Sequence, residues 1–464
     1  MTTVIPKEEM EKQAIFSENI KAMNGDGKKA FVRTFGCQMN EHDSEKLKGM
    51  CAAMGYDLVD SADGADLVIF NTCCVRENAE EKVFGHLGAL KGLKRNNPDM
   101  VIAVCGCMTE QPHIVEEIRK RYRHVDLVFG THNLHRLPEL IYRARTSKTN
   151  VYETSRTDSE VAEGVPVLRD SKIQAWVTIM YGCDNYCSYC IVPYVRGHER
   201  SRRPEDIISE IKGLAESGVK EVTLLGQNVN SYGKDLPEKC AFATLLQRIC
   251  DETDIPRIRF MTSHPKDISL EVIETMARNP QIMNQLHLPV QSGSDGLLKK
   301  MNRHYTKEQY LGIINKAREM MPDISLTTDI IVGFPGETEE DFAETLDLVE
   351  KARYDQAFTF IYSKRNGTPA AKFPDQVPED VVKERFERLL DLQNRISHEI
   401  NENFSDTTVE VLCEGRSKTN LSKFTGRTPG NKIVNFTAPR DVTGEIVMVH
   451  IDNIQTWSLE GSLV

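Results

Sequence analysis

Short apolar segments alternate with stretches of helical periodicity along most of the chain, and this alternation constrains the fold more than any other feature. In the first third of the sequence, four apolar runs have the composition of strands buried on both faces of a parallel sheet. They are Phe31–Phe35, Asp66–Phe70, Met100–Val104 and Val125–Phe129. The segments between them have apolar residues at helical spacing. The pattern predicts an open parallel α/β domain over residues 29–147, after a polar extension over residues 1–28.

A second alternating array follows a polar, aperiodic segment, which we interpret as a linker over residues 148–168. Six further apolar runs occur here, with helical segments between most of them. They are Trp176–Tyr181, Glu221–Leu225, Arg257–Met261, Leu286–Val290, Leu326–Val332 and Gln356–Tyr362. Repeated strand–helix units favour a parallel barrel, because right-handed crossovers wind successive strands around one axis. The sequence therefore predicts a partial (β/α)6 barrel over residues 169–400 and an α/β fold class.

After Phe404 the helical spacing stops, and short β-type runs are separated by Gly, Pro and Asn. Val409–Leu412, Lys432–Phe436 and Ile446–Val449 have the composition of strands. We predict a small all-β barrel over residues 402–464.

The chain of 464 residues contains twelve cysteines. Its first residues lack the basic and apolar segments of a secretory signal, and no apolar run approaches the roughly 18 residues that span a bilayer. We therefore expect a cytoplasmic, reducing location and no membrane partner. In such a compartment, cysteines are metal ligands, catalytic groups or buried apolar side chains rather than a disulfide framework.

Three cysteines lie close together at the end of the first predicted barrel strand. Cys183, Cys187 and Cys190 have three and then two residues between them. Thiolates at this spacing can ligate three irons of a 4Fe-4S cluster and leave the fourth iron open to substrate or cofactor. Barrel enzymes place their active sites at this end of the strands. The alternative is a zinc site, for which His198 is the nearby fourth ligand that structural zinc normally needs.

A second group of cysteines follows three successive strands of the amino-terminal domain. Cys37 follows the first strand, Cys73 and Cys74 follow the second, and Cys105 and Cys107 end the third. Since the carboxyl ends of parallel strands meet at one edge of a sheet, one cysteine from each could hold a second three-thiolate cluster. The alternative is that they are buried as small apolar side chains. Periodicity does not decide between the neighbouring cysteines.

The sequence motifs around these cysteines resemble those of the radical S-adenosylmethionine methylthiotransferase family. Three segments look like the three cysteine motifs of its amino-terminal domain. They are residues 34–40 (Thr-Phe-Gly-Cys-Gln-Met-Asn), 71–79 (Asn-Thr-Cys-Cys-Val-Arg-Glu-Asn-Ala) and 106–108 (Gly-Cys-Met). The loop from Cys183 to Cys190 looks like the radical S-adenosylmethionine signature, and the end of the chain resembles a TRAM domain. The likeness covers nearly the whole chain beyond the first 30 residues.

Within the family, residues 34–40, 181–197 and 199–202 most closely resemble the branch that acts on N(6)-dimethylallyl-adenosine in tRNA. His198 departs from the pattern, since many relatives have Arg or Lys there, and this affects only an expected RNA contact.

The resemblance implies two 4Fe-4S clusters and S-adenosyl-L-methionine as cofactors. It selects Cys73 and Cys107 as ligands beside Cys37, which makes Cys74 and Cys105 neighbours rather than ligands. By family analogy this first cluster would provide the sulfur that is methylated and transferred. The second cluster, on the three cysteines that end at Cys190, would cleave S-adenosylmethionine.

Three further residues are expected to contact this cofactor. Tyr189 precedes the third cysteine of the loop and would lie near the adenine, although it could equally close the packing of the loop. Gln227 follows the second barrel strand, in a segment that resembles the one meeting the methionine end of the cofactor. Gly333 opens a Gly-Phe-Pro-Gly-Glu segment after the fifth strand, which could also be just a turn. Residues 291–293 are a weaker candidate for the lining.

Nucleic-acid contacts have to come from local charge, because the whole chain has a net charge of −11. Residues 415–440 contain no acidic residue and six basic ones, interleaved with Phe424 and Phe436. The expected RNA contacts here are Lys418, Lys423, Arg427 and Lys432. This pattern suits phosphate contact with base stacking, and its alternative is a solvated basic face. A second basic group follows the cluster loop and consists of Arg196, Arg200, Arg202 and Arg203.

We therefore predict a tRNA-modifying enzyme that methylthiolates C2 of N(6)-dimethylallyl-adenosine next to the anticodon. Its expected partners are the tRNA anticodon stem-loop and a one-electron reductant protein, and we expect a monomer. Two alternatives are a sister methylthiotransferase, acting on threonylcarbamoyl-adenosine or on a ribosomal-protein aspartate, and a non-catalytic RNA-binding protein with structural zinc.

Overall fold

A computed structural model of the protein describes residues 2–74, 79–147, 149–155 and 160–464. Within these ranges the chain forms an amino-terminal α/β domain, a partial parallel barrel and a carboxyl-terminal β-barrel. This confirms the predicted fold class. Val75 to Asn78 of the second cysteine motif lie outside the described residues, as do Lys148 and residues 156–159 of the predicted linker. No helix in the described part of the chain is long and apolar enough to cross a membrane.

The amino-terminal domain is a parallel sheet with helices on both faces. Its elements are β1 (Thr3–Val4), α1 (Lys7–Asn24), β2 (Lys29–Thr34), α2 (Gln38–Ala53), β3 (Asp57–Leu58), β4 (Leu67–Thr72), α3 (Ala79–Asn96), β5 (Val101–Gly106), α4 (Pro112–Arg121), β6 (Leu127–Phe129), α5 (Leu137–Ser147), β7 (Val151–Glu153) and β8 (Glu160–Val161). Six strands form one sheet in the order β3-β2-β4-β5-β6-β7. The central strands β4 and β5 are buried at every residue, as their continuous apolar composition predicts. This order places the carboxyl ends of β2, β4 and β5 side by side.

The segment before β2 packs against this domain through α1 and β1. Gln13 Nε2 on α1 donates to Glu139 Oε2 on α5 at 3.2 Å, and β1 pairs with β8. The structure also places β7, which lies in the predicted linker, as the last strand of the sheet. Sequence periodicity misses α1 because the helix buries only Gln13, Ile20 and Asn24, so it has no apolar stripe.

The central domain is the predicted partial barrel. Its elements are β9 (Gln174–Thr178), β10 (Met180–Tyr181), α6 (Val192–Arg196), β11 (Arg200–Ser201), α7 (Pro204–Glu216), β12 (Glu221–Leu225), α8 (Phe242–Glu252), β13 (Arg257–Phe260), α9 (Leu270–Arg278), β14 (Gln285–His287), α10 (Asp295–Lys300), α11 (Lys307–Met320), β15 (Ser325–Val332), α12 (Glu339–Ala352), β16 (Gln356–Ile361) and α13 (Glu379–Glu402). The six barrel strands form two parallel sheets, β9-β12-β13 and β14-β15-β16. A bridge between Ile258 and Ile282 joins them.

The carboxyl-terminal domain is a closed barrel in the order β17-β18-β19-β21-β20. Its strands are β17 (Thr408–Arg416), β18 (Phe424–Arg427), β19 (Ile433–Thr437), β20 (Ile446–Ile454) and β21 (Leu459–Leu463). The domain packs on the amino-terminal ends of the larger barrel's strands. There Arg257 Nη2 at the start of β13 lies 2.6 Å from Glu410 Oε1, and Arg259 Nη2 donates to the carbonyl oxygen of Thr428 at 2.8 Å. It therefore lies at the opposite end of these strands from the cysteine loop.

Candidate active site

The loop that contains Cys183, Cys187 and Cys190 is closed at its base. It leaves the barrel after β10, and β10 pairs antiparallel with β11, so that Met180 lies opposite Ser201. Gly182 opens the loop with a φ of 75°, and a Cβ at this position would lie 1.9 Å from the carbonyl oxygen of His198. No other residue fits there without moving backbone, so the loop starts in a fixed direction.

The thiols of this loop favour a ligand that brings positive charge. Burial raises the pKa of Cys183 and raises that of Cys190 to about 12. Only the thiolate binds metal, and a bound cation displaces the thiol proton. Arg303 Nη1 donates to Cys187 Sγ at 3.6 Å and to Tyr189 Oη at 3.4 Å. Arg303 is 4% exposed, and sequence reasoning missed it because no motif marks it.

The cysteines that follow β2, β4 and β5 meet at one sheet edge, as the strand order requires. The Sγ atoms of Cys37 and Cys107 lie 4.0 Å and 3.8 Å from the same acceptor, Asn40 Oδ1. A Cβ on Gly36 would lie 2.4 Å from the Cβ of Cys73, so the first and second strand ends are in contact. The geometry therefore groups the three predicted ligands of the first cluster.

The two cysteines that the family pattern excludes have different surroundings. Cys105 points into the apolar core under α2 and α5, where burial raises its pKa well above the usual value. Cys74 lies beside Cys107, and the hydrogen bond between them raises the pKa of Cys74 and lowers that of Cys107 to about 7. The structure therefore separates Cys105 from the group but leaves Cys74 within it. The choice of Cys73 as ligand stays a prediction.

The short helix α6 lies between the two cysteine groups. It begins two residues after Cys190 and packs its apolar side chains, with Ile191, against Cys74 and Cys107. Thr131 Oγ1 of the amino-terminal domain also donates to the carbonyl oxygen of Val195 at 3.1 Å. One apolar contact thus joins the first cysteine group to the segment that immediately follows the second group.

Arg196, the last residue of α6, is buried between the domains with 4% of its surface exposed. Its Nε donates to Cys107 Sγ at 3.1 Å, and its Nη2 donates to Asn40 Oδ1 at 2.7 Å. Its Nη1 forms an ion pair with Asp43 Oδ2 at 2.8 Å. The sequence predicts Arg196 as an RNA contact, whereas the structure directs its side chain at a cysteine of the first group.

Two of the predicted cofactor residues follow barrel strands at the carboxyl end and Tyr189 is in the loop, but each has a structural contact there. Gln227 Oε1 accepts a hydrogen bond from the Gly182 backbone N at 2.5 Å. Tyr189 packs against an apolar cluster that includes Phe334, which fits the alternative role of closing the loop. Gly333 has a φ of 75°, and a Cβ there would lie 2.6 Å from Val382 Cγ2 on α13. Their contact with cofactor stays a prediction.

Four buried polar atoms after β12 and β13 have no hydrogen-bond partner within the described residues. They are Asn228 Oδ1, Asn230 Nδ2, Ser263 Oγ and His264 Nε2. Leaving such a group unpaired costs about 1–3 kcal/mol. Burial lowers the pKa of His264 to about 2, so its imidazole is neutral, and the Lys266 backbone N donates to its Nδ1 at 3.2 Å. These atoms fit a polar cofactor that supplies the missing partners at this end of the barrel.

The basic group after the cluster loop is mostly inside the protein, which corrects the expectation that it contacts RNA. Three of its arginines are 4%, 5% and 8% exposed, namely Arg196, Arg200 and Arg202. Arg202 forms ion pairs with Glu163 at 2.6 Å and with Glu210 at 2.7 Å, because a buried guanidinium needs carboxylate partners. Arg203 is exposed, and its Nε forms an ion pair with Asp206 Oδ2 at 2.7 Å.

The basic face of the carboxyl-terminal domain is also partly occupied by ion pairs. They join Lys423 to Glu460 at 3.1 Å, Arg427 to Glu414 at 3.0 Å and Lys432 to Asp355 at 2.8 Å. Lys418 is exposed. The expected stacking role of Phe424 and Phe436 is wrong, because both rings are fully buried in the barrel core with centroids 5.9 Å apart.

The zinc alternative has no geometric support. In the part of the chain that the structure describes, no three His, Cys, Asp or Glu side chains are grouped as a single metal ion requires. A 4Fe-4S cluster binds each thiolate to a different iron, so it does not require three side chains to converge on one metal ion.

Comparison with known proteins gives the same division of the chain. Residues 177–349 match the radical SAM superfamily, residues 29–130 match the uncharacterized protein family UPF0004, and residues 406–464 match the TRAM domain. Among solved structures, the chain is similar in fold to the radical S-adenosylmethionine methyltransferase TsrM from Kitasatospora setae. The TM-score is 0.53 at 15% identity, over 74% of this chain and 77% of that one.

Similarity to curated proteins extends over the full length. The chain is 58% identical to the tRNA-2-methylthio-N(6)-dimethylallyladenosine synthase of Acetivibrio thermocellus, over 99% of this chain and 97% of the relative. It is 56% identical to the enzyme of the same name from Clostridioides difficile, over 99% and 98% of the two chains. This chain therefore belongs to the tRNA-2-methylthio-N(6)-dimethylallyladenosine synthase family.

Proposed function

We propose that this chain attaches a methylthio group to C2 of N(6)-dimethylallyl-adenosine next to the tRNA anticodon. The observation that supports this most is that α6, which begins two residues after Cys190 of the second cysteine group, packs against Cys107 of the first. A methylthio transfer needs a site that holds sulfur and a site that removes hydrogen from the base, and the packing of α6 against Cys107 supports the proposal that both act on one bound nucleotide. Relatives across the full length have the name of this reaction.

The cofactors are two 4Fe-4S clusters and S-adenosyl-L-methionine, which supply sulfur, a methyl group and radical chemistry when bound. We assign Cys37, Cys73 and Cys107 to one cluster, and Cys183, Cys187 and Cys190 to the other. The protein's own contribution is placement and exclusion of water. Ile191 and Val195 pack their apolar side chains against Cys107, and both are at most 5% exposed.

The inner face of the last barrel strand fits the apolar part of the target base. On β16, Ala357 packs in the core under the helices, so Phe358 and Phe360 lie on the opposite face, which is the barrel interior. They are 41% and 49% exposed, and the ring of Phe358 meets His287 of β14 with centroids 5.8 Å apart. Exposed aromatic rings at a substrate opening suit a stacked base with a hydrocarbon substituent. A threonylcarbamoyl group carries a carboxylate and gains less from this surface.

The tRNA anticodon stem-loop is the proposed partner, with the TRAM domain as one contact. Among the predicted RNA contacts, exposed Lys418 is the basic side chain best placed to bind phosphate, whereas Arg203, the exposed arginine near the cluster loop, would have to give up its ion pair with Asp206. Lys423, Arg427 and Lys432 would first have to give up their ion pairs. A one-electron reductant protein, a monomeric state and a cytoplasmic location complete the proposal.

The experiment that tests this proposal is mass spectrometry of tRNA nucleosides from a deletion strain. The 2-methylthio form of N(6)-dimethylallyl-adenosine should be absent and its unmodified precursor should accumulate. Complementation with the wild-type chain should restore the product, whereas the Cys183→Ala variant should not. Intact product in the deletion strain would rule out the assignment, and loss of methylthio-threonylcarbamoyl-adenosine instead would favour the sister reaction.

In vitro, Cys183→Ala should also abolish formation of 5′-deoxyadenosine, because the loop would then retain two of its three ligands. The matched control is Cys240→Ala. Cys240 is a cysteine of the same domain, outside both groups, and we expect its substitution to leave the rate unchanged. Retained 5′-deoxyadenosine formation in Cys183→Ala would contradict the role of this loop.

A further inference from the structure

Of the five residues described for α6, Arg196 is the one with a charged side chain, and this side chain contacts the first cysteine group. It directs its three guanidinium nitrogens at three different partners. These are Cys107 Sγ at 3.1 Å, Asn40 Oδ1 at 2.7 Å and Asp43 Oδ2 at 2.8 Å. Because the guanidinium is a planar fork with fixed donor directions, these contacts define one orientation of the side chain. Lysine, with its single ammonium group, cannot reproduce it.

Both charges of this arrangement are buried, since Arg196 and Asp43 are each 4% exposed. Electrostatic interactions between buried groups are stronger than those at the surface, and salt screens them much less. The positive charge and one N–H donor are directed at Cys107, while the carboxylate lies on the far side of the guanidinium. A cluster on Cys107 would therefore sit next to a fixed positive charge with a fixed negative charge behind it.

The reduction potential of an iron–sulfur cluster depends on net charge, on hydrogen bonds to its sulfur atoms and on exposure to solvent. Outer residues of this kind tune a centre without binding it. Reduction adds one negative charge to the cluster, so a nearby cation and an N–H donor stabilise the reduced form and raise the potential. A nearby carboxylate has the opposite effect.

We propose that Arg196 and Asp43 together set the reduction potential of the amino-terminal cluster, with Arg196 raising it and Asp43 lowering it. This inference rests on the proposed function in one respect, namely that Cys107 is a ligand. Arg196 is thus a positioning residue that acts through a cysteine rather than on substrate. Since α6 starts two residues after Cys190 and ends at Arg196, this one helix connects the loop of the second cysteine group to Cys107 of the first.

The test is a redox titration of the reconstituted full-length protein in which electron paramagnetic resonance monitors the reduced clusters. The reduction step of the amino-terminal cluster is the one that remains when Cys183, Cys187 and Cys190 are all replaced by Ala. We expect Arg196→Gln to move this step to lower potential and Asp43→Asn to move it to higher potential. Arg121→Gln is the control, since Arg121 is an exposed arginine of the amino-terminal domain, which carries this cysteine group, and it pairs with Glu117 at 2.6 Å.

Opposite shifts in reduction potential indicate a direct electrostatic effect of the two charges. Simple loosening of the contact between the domains would shift the potential of both variants in the same direction. Shifts of the same sign, or no shift in either variant, would overturn the proposal. If Arg196→Gln fails to bind iron, the Asp43→Asn measurement decides alone, because that variant keeps the guanidinium and the N–H···S contact. If the triple-alanine protein binds no iron, the ligand assignment of the proposed function is wrong, and this inference falls with it.

Discussion

Gly36→Ala should empty the amino-terminal cluster site and leave the other site intact. The added Cβ would lie 2.4 Å from the Cβ of Cys73 and 2.8 Å from its Sγ, whereas carbon atoms in contact are normally about 3.5–4.0 Å apart. Cys73 would have to move by more than about 1 Å, and metal–ligand distances tolerate about 0.2 Å. The φ of 121° at this position adds a further cost of about 1–3 kcal/mol for alanine.

The measurement is iron and acid-labile sulfide per chain after anaerobic reconstitution. Two four-iron clusters give about eight of each, and we expect about four in Gly36→Ala. The variant should still form 5′-deoxyadenosine but should make no methylthio product. Gly88→Ala is the matched control on α3, because a Cβ there meets no atom within 4 Å. About eight irons together with full product formation in Gly36→Ala would refute the argument that Cys73 lies in the first cluster.

Three further perturbations test other parts of the structure. Burial raises the pKa of Glu337 from 4.5 to about 7, despite its contact with Arg385 at 2.9 Å. The folded chain therefore keeps a proton that the unfolded chain releases, and the free energy of unfolding should fall by about 3 kcal/mol between pH 4.5 and 7. Glu337→Gln should lack this fall in urea unfolding curves, and an unchanged pH profile would contradict the assignment. Arg257→Met should lower the free energy of unfolding by about 2 kcal/mol, because it removes the contact with Glu410, and should speed proteolysis between α13 and β17. An unchanged proteolysis rate would mean that this contact does not contribute to docking of the TRAM domain. Phe360→Ser should raise the Kd for tRNA with dimethylallyl-adenosine more than the Kd for tRNA with unmodified adenosine, and equal effects on both would exclude a contact with the hydrocarbon group.

The cysteine groups could be predicted because each thiol follows a strand, and strand order decides which strand ends are neighbours. The apolar runs that became β2, β4 and β5 are continuous enough to recognise, so Cys37, Cys73 and Cys107 could be placed at one edge before the structure was known. The strand pattern alone could not choose between Cys73 and Cys74, or between Cys105 and Cys107, because adjacent residues at a strand end differ only in the direction of their side chains. The structure supplies that direction for Cys105, which points into the core.

The roles of the basic residues could not be predicted in the same way. A positive charge in a sequence is equally compatible with a phosphate contact, a buried ion pair and a hydrogen bond to sulfur. Arg202 and Arg196 illustrate the second and third cases, and only their partners on distant segments, such as Glu163 and Asn40, distinguish them. Likewise Arg303 is separated from Cys187 by more than a hundred residues, so local spacing gives no sign of their contact.

The positions of the two ends of the barrel limit how RNA can bind. The TRAM domain packs at the amino-terminal ends of the strands, as the contact of Arg259 with Thr428 shows, while the cysteine loop lies at their carboxyl ends. A strand of five residues such as β12 is about 17 Å long, so a phosphate bound at the TRAM end of the barrel would lie about that far from a base bound at the cysteine loop. Lys418→Gln should therefore weaken tRNA binding and its salt dependence without changing cleavage of S-adenosylmethionine in the absence of RNA. A lower rate of that RNA-independent cleavage would mean that the two ends of the barrel are coupled through the protein rather than through the bound RNA.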